Sequence, residues 1–368
     1  MGNALNLQEI DQEQALHLAK FFIRSGQNIF FFGRRGVGKT QIAIQAAESC
    51  KLKVNYINLS VIERPDLAGY PNMNVPGEVV TFKSPVFLPT LEKGKPDSIL
   101  LFDEVDKASP EVTAPLLEIL LHKSINGKPL NAVACILTGN FVNEGAYSNI
   151  ISSALLDRGA KFILSFNFEK WVDWAKGHGV HDLILGFLHS NPDLACGKVE
   201  ETTYASPSPR AWTLASDALI KARDLKIVDI ETVTQIISGY VGSEAGLKFK
   251  IWYEHYRKFE PSVLNLLEDG TMSLNFKELA PTEQVVFVVS ACHWAKHKLL
   301  AENPKTKNKL AYLEHLCNFL KQNNVSYEIQ TVGLNTFDGE LITKYKLYDH
   351  KAFFEHLGML EKVWTLKK

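Results

Sequence analysis

Residues 33–40 read Gly33-Arg34-Arg35-Gly36-Val37-Gly38-Lys39-Thr40, a complete G-x-x-x-x-G-K-T. A glycine-rich turn of this kind directs backbone N–H groups and a helix N-terminus at one point, which favours an anion there. Lys39 can reach the β- and γ-phosphates of a bound nucleoside triphosphate, and the Thr40 hydroxyl can hold Mg²⁺. Such a motif also arises by chance in Gly-rich turns, so its flanks decide. Asn28-Ile29-Phe30-Phe31-Phe32 is a short apolar run suited to a buried strand, and Gln41 to Cys50 is an Ala-, Gln- and Ile-rich stretch suited to a helix. Strand, loop and helix in that order predict a triphosphate site in which Gly33, Arg34, Arg35, Gly36, Val37, Gly38, Lys39 and Thr40 form the cradle.

A second constellation follows downstream. Ser98-Ile99-Leu100-Leu101-Phe102 reads as an apolar strand and ends at Asp103-Glu104. In phosphate-loop enzymes an acid at such a strand end holds Mg²⁺ directly or through water, which makes Thr40 and Asp103 the expected metal ligands. The adjacent Glu104 is placed to polarise an attacking water as general base. Paired carboxylates can also be plain surface charge, but the phosphate loop upstream argues for the functional reading. No N-K-x-D guanine-specificity segment is present, which favours ATP over GTP.

These groups need a scaffold. Ile10 to Arg24 has helical spacing and stops at Ser25-Gly26. Further strands are expected at Lys53–Leu59, Ala132–Thr138 and Lys161–Phe166, with helical patterns between them, notably Pro110 to His122. Near-continuous apolar strands alternating with helices predict an α/β fold, a parallel sheet covered on both faces. After the break at Pro207-Ser208-Pro209 the pattern turns helical, at about 210–223, 229–240 and 281–300. Lys309–Lys321 and Phe353–Val363 also read as helices, and Val325–Tyr348 alternates around Asp338-Gly339 like a β-hairpin. A smaller hairpin is expected where Pro76-Gly77 interrupts Asn74–Phe82.

Composition narrows the class. The 368 residues are 46% hydrophobic and 22% charged, enough apolar material for more than one core. Forty basic and 41 acidic side chains leave a formal charge of −1, which counts against a dedicated nucleic-acid binder. The five cysteines are scattered and form no C-x-x-C, which predicts reduced core thiols and a cytoplasmic location. There is no signal-peptide pattern, no Ser or Thr where myristoylation needs one after Gly2, and no apolar run long enough to span a membrane. His293 and His297 stand four apart but lack the Glu of H-E-x-x-H, so core packing outweighs a zinc site. Trp252, Tyr253, Tyr256, Arg257 and Lys258 could stack a nucleic acid, and a helix packing its aromatics explains them better.

The order of motifs resembles the AAA+ ATPases, and among them the MoxR branch with its CbbQ-type members. Over roughly residues 10–225 the matching pieces are Gly33–Thr40, Arg64–Gly69, Ser84–Phe87, Leu100–Lys107, Glu118–Leu120, Thr138–Asn140, Ala154–Arg158 and Ser208–Arg210. The resemblance implies a P-loop AAA+ three-layer core with a parallel sheet (1–205), a C-terminal α-helical lid (206–300) and a small extension of unknown role (301–368). It implies that Asn140 senses the γ-phosphate, that Arg158 is a finger reaching a neighbouring subunit's nucleotide, and that Arg210 senses nucleotide in its own subunit. It also implies ATP and Mg²⁺ as ligands, a homo-oligomer of hexameric form, a partner with a von Willebrand factor A domain, and remodelling of a client protein. Two departures stand out. Arg35 occupies a position where the family has Pro or a small residue, and Arg158 is followed by Gly159 instead of the usual Phe, which predicts a looser finger register. The alternatives are a nucleic-acid-directed AAA+ motor and a nucleotide-gated scaffold with slow turnover.

Overall fold

Ile29, Phe30 and Phe31 are wholly buried and Phe32 nearly so, as an unbroken apolar run demands of a strand covered on both faces. The structure is a computed structural model that describes residues 7–72, 81–85, 87–140, 151–197, 205–226, 229–272, 274–301, 311–323, 325–334, 337 and 347. Among them, one compact unit holds everything up to Trp171 together with Ser208–Arg210, and a second holds Val172–Gly197, 205–207 and everything from Ala211 onward.

The first unit begins β1 (Gln8–Ile10), α1 (Gln12–Arg24), β2 (Ile29–Phe32), α2 (Lys39–Ser49) and β3 (Lys53–Asn58). It continues with α3 (Arg64–Ala68), β4 (Tyr70–Pro71), β5 (Phe82–Lys83), β6 (Ser98–Asp103) and α4 (Pro110–His122). Then come β7 (Ser124–Ile125), β8 (Lys128–Pro129), β9 (Cys135–Gly139), α5 (Ser153–Leu156) and β10 (Ala160–Leu164), and α6 (Phe168–Gly177) runs on into the second unit.

Six strands form one parallel sheet in the order β1-β10-β2-β9-β6-β3. The parallel α/β sheet expected from the alternating pattern is therefore present, and β1 extends it at one edge without a clear signal in the sequence. Register levels the strand ends: Phe32 pairs with Gly139, Phe102 with Leu137 and Asn58 with Asp103. The carboxyl ends of β2, β9 and β6 consequently form one rim, the edge at which open α/β sheets bind ligands. Phe30, Phe32, Leu100, Phe102, Leu116 and Leu137 belong to the core on one face of the sheet. Helix α1 starts at a capping box in which Asp11 accepts from the Gln14 N–H and the Gln14 side chain accepts from the Asp11 N–H.

Beside the sheet, β4 pairs antiparallel with β5, and β7 with β8. The turn expected at Asn74–Phe82 lies largely outside the described residues, as does Val86, while β4 and β5 flank it.

The second unit is helical: α7 (Asp182–Ser190), α8 (Pro209–Asp224, of which Ala211 onward belongs here), α9 (Ile230–Val241), α10 (Ser243–Asp269), α11 (Pro281–Ala301), α12 (Ala311–Gln322) and α13 (Tyr327–Leu334). Its core is aromatic, with Phe187 against Trp212, Phe249 and Trp252, and Phe287 against Phe259, Phe276 and Phe319. Trp252 and Tyr256 are thus core side chains of α10. Gly246 lets α9 and α10 cross closely, because a Cβ there would collide with Ser238 Oγ.

One expectation is overturned. Tyr327–Leu334, the first half of the anticipated hairpin at 325–348, is helix. Ser326 Oγ accepts the Ile329 N–H at its start, and Gly333 abuts α11 so tightly that a Cβ would stand 2.6 Å from Val288. Tertiary packing overrides a short alternating pattern here. The turn at Asp338-Gly339 and the helix expected at Phe353–Val363 lie outside the described residues, as does most of 301–368. No described helix is long and apolar enough to cross a membrane. All five cysteines are free thiols, and burial pushes that of Cys135 up to about 12.

Candidate nucleotide site

The loop after β2 adopts a backbone that only glycines accommodate at three points. A Cβ on Gly33 would stand 2.5 Å from the Leu164 carbonyl oxygen, so β2 leaves the sheet hard against β10. Gly36 and Gly38 have φ of 75° and 100°, in the left-handed region. Gly38 caps α2 with no side-chain hydrogen bond, which leaves the helix's first N–H groups facing the loop. Val37 is buried and pins the turn. Arg34 is half-buried and Arg35 exposed, so the unusual second arginine incurs no desolvation.

Lys39 is 8% exposed. Its ammonium donates to the carbonyls of Gly33 at 2.7 Å and Arg34 at 2.8 Å, and to Asn140 Oδ1 at 3.0 Å. Asn140 follows β9, and its own N–H donates to Asp106 Oδ1 at 2.9 Å. Loop lysine and strand-end amide therefore meet because β2 and β9 are neighbours in register.

Asp103, the last residue of β6, has both carboxylate oxygens engaged. Oδ2 accepts from Thr40 Oγ1 and from the Tyr56 hydroxyl, each at 3.0 Å. Oδ1 accepts from the Glu104 N–H at 3.0 Å and from Thr138 Oγ1. Burial, and then the Asp103 carboxylate, push the Tyr56 phenol up to about 12, and the positive Arg210 opposes that. Tyr56 consequently remains a donor throughout the neutral range.

Glu104 has φ 58° and ψ 43°, a left-handed turn that swings its side chain out of the strand line. Burial raises its carboxyl's pKa, but hydrogen bonds from Lys107 and Ser60 outweigh burial and leave it below the ordinary value. Lys107 Nζ lies 2.9 Å from Glu104 Oε1. The carboxylate is thus held ionised, as a general base requires.

Hard oxygens at Thr40 Oγ1 and Asp103 Oδ2, 3.0 Å apart, fit Mg²⁺, which takes one or two protein oxygens and completes its octahedron with phosphate oxygens and water. Among the described residues no cluster of three or more His, Cys, Asp or Glu side chains could hold a metal on its own. His293 stands 3.7 Å from Asp182, and the side chain of His297 lies outside the described residues.

The arginines divide. Arg210 is exposed, and its Cβ lies 3.4 Å from where a Cβ on Gly36 would be, beside the loop. Arg158 lies at the opposite rim. It precedes β10, whose Ala160 pairs with Ile29 at the start of β2. The four residues of β2, at about 3.3 Å each, separate that rim from Gly33. Arg158 Nη1 donates to the Ala154 carbonyl, and its Nε is buried with no hydrogen-bond partner among the described residues. Gly159 does not loosen the segment. A Cβ there would come within 2.8 Å of the Asn28 carbonyl oxygen and 2.9 Å of Phe30 Cε2, so glycine is what lets the chain close onto β2.

The structure thus gathers Gly33–Thr40, Asp103, Glu104 and Asn140 at the carboxyl rim of the sheet with Arg210 beside the loop, and sets Arg158, in the same unit, at the opposite rim. Sequence reasoning passed over Tyr56 and Asn28. Tyr56 looks like an ordinary strand residue, and only its register beside β6 brings its hydroxyl to Asp103.

The chaperone protein ClpB of Mycoplasma genitalium is 30% identical over 142 residues, 34% of this chain and 19% of that protein. That of Mycoplasma pneumoniae is 33% identical over 100 residues, 25% and 13% of the two chains. The match therefore spans less than a fifth of the length of these relatives. Among solved structures, the RuvB Holliday junction branch migration motor of Thermotoga maritima aligns with a TM-score of 0.34 at 14% identity, over 84% of this chain and 86% of that one. A putative ATPase from Cytophaga hutchinsonii aligns with a TM-score of 0.33 at 15% identity, over 88% and 81%. Scores this low leave the fold assignment to the sheet order itself. Residues 28–158 match the AAA domain of the dynein-related subfamily, and the phosphate loop, the Asp103 strand and Asn140 all lie inside that span.

Proposed function

We propose that this chain hydrolyses ATP in a ring of identical subunits and uses the cycle to remodel a protein client. The observation that carries the reading is the split between the two rims: Lys39, Thr40, Asp103, Glu104 and Asn140 converge at the carboxyl ends of the strands, while Arg158 stands at their amino ends. A finger so far from its own loop is suited to a neighbour's nucleotide.

In this mechanism the loop N–H groups and Lys39 bind the β- and γ-phosphates. Mg²⁺ held by Thr40 and Asp103 would neutralise phosphate charge as the γ-phosphoryl leaves. Glu104 accepts a proton from the attacking water, and Asn140 orients that water against the γ-phosphate. Arg158 from the adjacent subunit meets the charge that develops in the transition state, and Arg210 links the nucleotide to the helix it begins. A finger is worth on the order of 10³–10⁵ in rate, so turnover depends on assembly.

Support for a protein client comes from the partial likeness to a chaperone and from the near-neutral charge. The ordered motifs that resemble the MoxR branch support a hexamer and a partner with a von Willebrand factor A domain. The packed Gly159 removes the motive for a slow scaffold. The test is subunit mixing. Lys39→Ala subunits, which keep a finger, and Arg158→Ala subunits, which keep a site, should each be inactive and recover hydrolysis when mixed. Activity in Arg158→Ala alone would overturn the shared site. A pull-down with Glu104→Gln in ATP should retain the client. Hydrolysis stimulated by DNA and falling steeply with salt would favour a nucleic-acid motor instead.

A further inference from the structure

Asn28 enters none of the roles above, yet the residue is 6% exposed and its side chain uses every hydrogen-bonding position it has. Nδ2 donates to the Leu120 carbonyl at 2.9 Å and to the Arg158 carbonyl at 2.8 Å. Oδ1 accepts from Lys123 Nζ at 2.7 Å and from the Cys135 N–H at 3.2 Å. Two carbonyls on one side and two donors on the other leave only one orientation of the amide. The Asn28 main chain adds a fifth link, since its carbonyl accepts from the Ala160 N–H at 3.1 Å. Arg158 and Ala160 are therefore both tied to Asn28, and Gly159 between them has no room for a Cβ against it.

We propose that Asn28 is a positioning residue for Arg158: its amide fixes the arginine's main chain so that the guanidinium projects at a set angle toward a neighbouring subunit. Asn28 opens the strand that carries Gly33 at its other end. One strand thus bears a subunit's own phosphate loop and the clamp on the finger it offers its neighbour. Lys123, whose backbone is left-handed at φ 50°, brings the end of α4 into the same clamp. Replacing the amide with an apolar group would remove a partner from the Arg158 carbonyl and from the Cys135 N–H, while the Leu120 carbonyl and Lys123 Nζ keep their own contact at 3.1 Å; the main chain at 158 would lose its only side-chain anchor among the described residues.

The inference rests on the trans finger, so its test is built on the mixing experiment. Recovery of activity from Lys39→Ala plus Arg158→Ala subunits establishes that reading first, and failure to recover would end the reading itself, separately from Asn28. Asn28→Asp keeps the side chain's shape but turns an acceptor against the Leu120 and Arg158 carbonyls. Placed on the Lys39→Ala subunit, which donates the finger, it should lower the mixed activity on the order of 10²-fold, the penalty of misplacing a catalytic group. Placed on the Arg158→Ala subunit, whose finger is not used, it should cost less than about twofold, the margin for uncoupled sites, with KM for ATP unchanged. Equal losses in the two placements, or none in either, would overturn the proposal, because Asn28 would then act on β2 and its loop or on nothing. Asn28→Ser in the same two placements gives the same comparison where the aspartate variant fails to assemble.

Discussion

Lys39 Nζ lies 3.0 Å from Asn140 Oδ1, joining the loop after β2 to the end of the neighbouring strand through two side chains. Asn140 is in turn held by Asp106 through its N–H, so the amide is aimed by its main chain and contacts the ammonium from a fixed position. If Asn140 orients water and does not bind phosphate, Asn140→Ala should lower kcat on the order of 10²-fold while KM for ATP stays nearly constant. Steady-state kinetics over a range of ATP concentrations measure the split. A rise in KM with kcat preserved would assign Asn140 to binding instead.

Tyr56 donates to the oxygen of Asp103 that also accepts from Thr40. Tyr56→Phe removes one donor and leaves the carboxylate freer to turn. A single hydrogen bond is worth about 0.5–1.5 kcal/mol, so the Mg²⁺ concentration giving half-maximal nucleotide binding should rise by about two- to tenfold. Titrating a fluorescent ATP analogue with and without Mg²⁺ separates the effects, since binding without the metal should be unchanged. An equal loss in both conditions would mean that Tyr56 supports the loop and not the metal ligand.

Glu104 titrates below the ordinary carboxylate range because Lys107 and Ser60 hold its ionised form against the cost of burial. A base with a lowered pKa is active above that value and is lost as pH falls through it. The acid limb of kcat should therefore lie below the range of an unperturbed glutamate, and Lys107→Met should move it to higher pH. A pH–rate profile of both proteins decides this, and an acid limb unmoved in Lys107→Met would detach the limb from Glu104.

Gly159 supplies a stability prediction independent of nucleotide. Gly159→Ala forces a methyl group to within 2.8 Å of the Asn28 carbonyl oxygen, and overpacking of this kind costs about 1–3 kcal/mol. Chemical denaturation should show that loss, with the signal from the first unit melting earlier. Wild-type stability would mean that β10 yields easily beside β2.

These residues also mark what the chain discloses before folding. The phosphate loop was readable because its glycines answer a local backbone demand and its lysine and threonine sit at a fixed offset from it. Asp103 and Glu104 were readable because an apolar strand ends on them. Asn28 and Tyr56 were not, since their chemistry arises from register: Tyr56 meets Asp103 across a strand pair 47 positions apart in sequence, and Asn28 meets Arg158 across 130. Gly159 was misjudged for the same reason, as its close contact belongs to the strand beside it. At 327–334 a short alternating pattern pointed to a strand, and packing against α11 made a helix.

The most direct test of the account is the paired measurement of ATP binding and hydrolysis in Glu104→Gln. Removing the base while sparing Lys39, Thr40 and Asp103 should leave ATP affinity close to wild type and lower steady-state hydrolysis by about 10²- to 10⁴-fold. Hydrolysis persisting at the wild-type rate would contradict the assignment of Glu104 as the base and, with it, the site built around the end of β6.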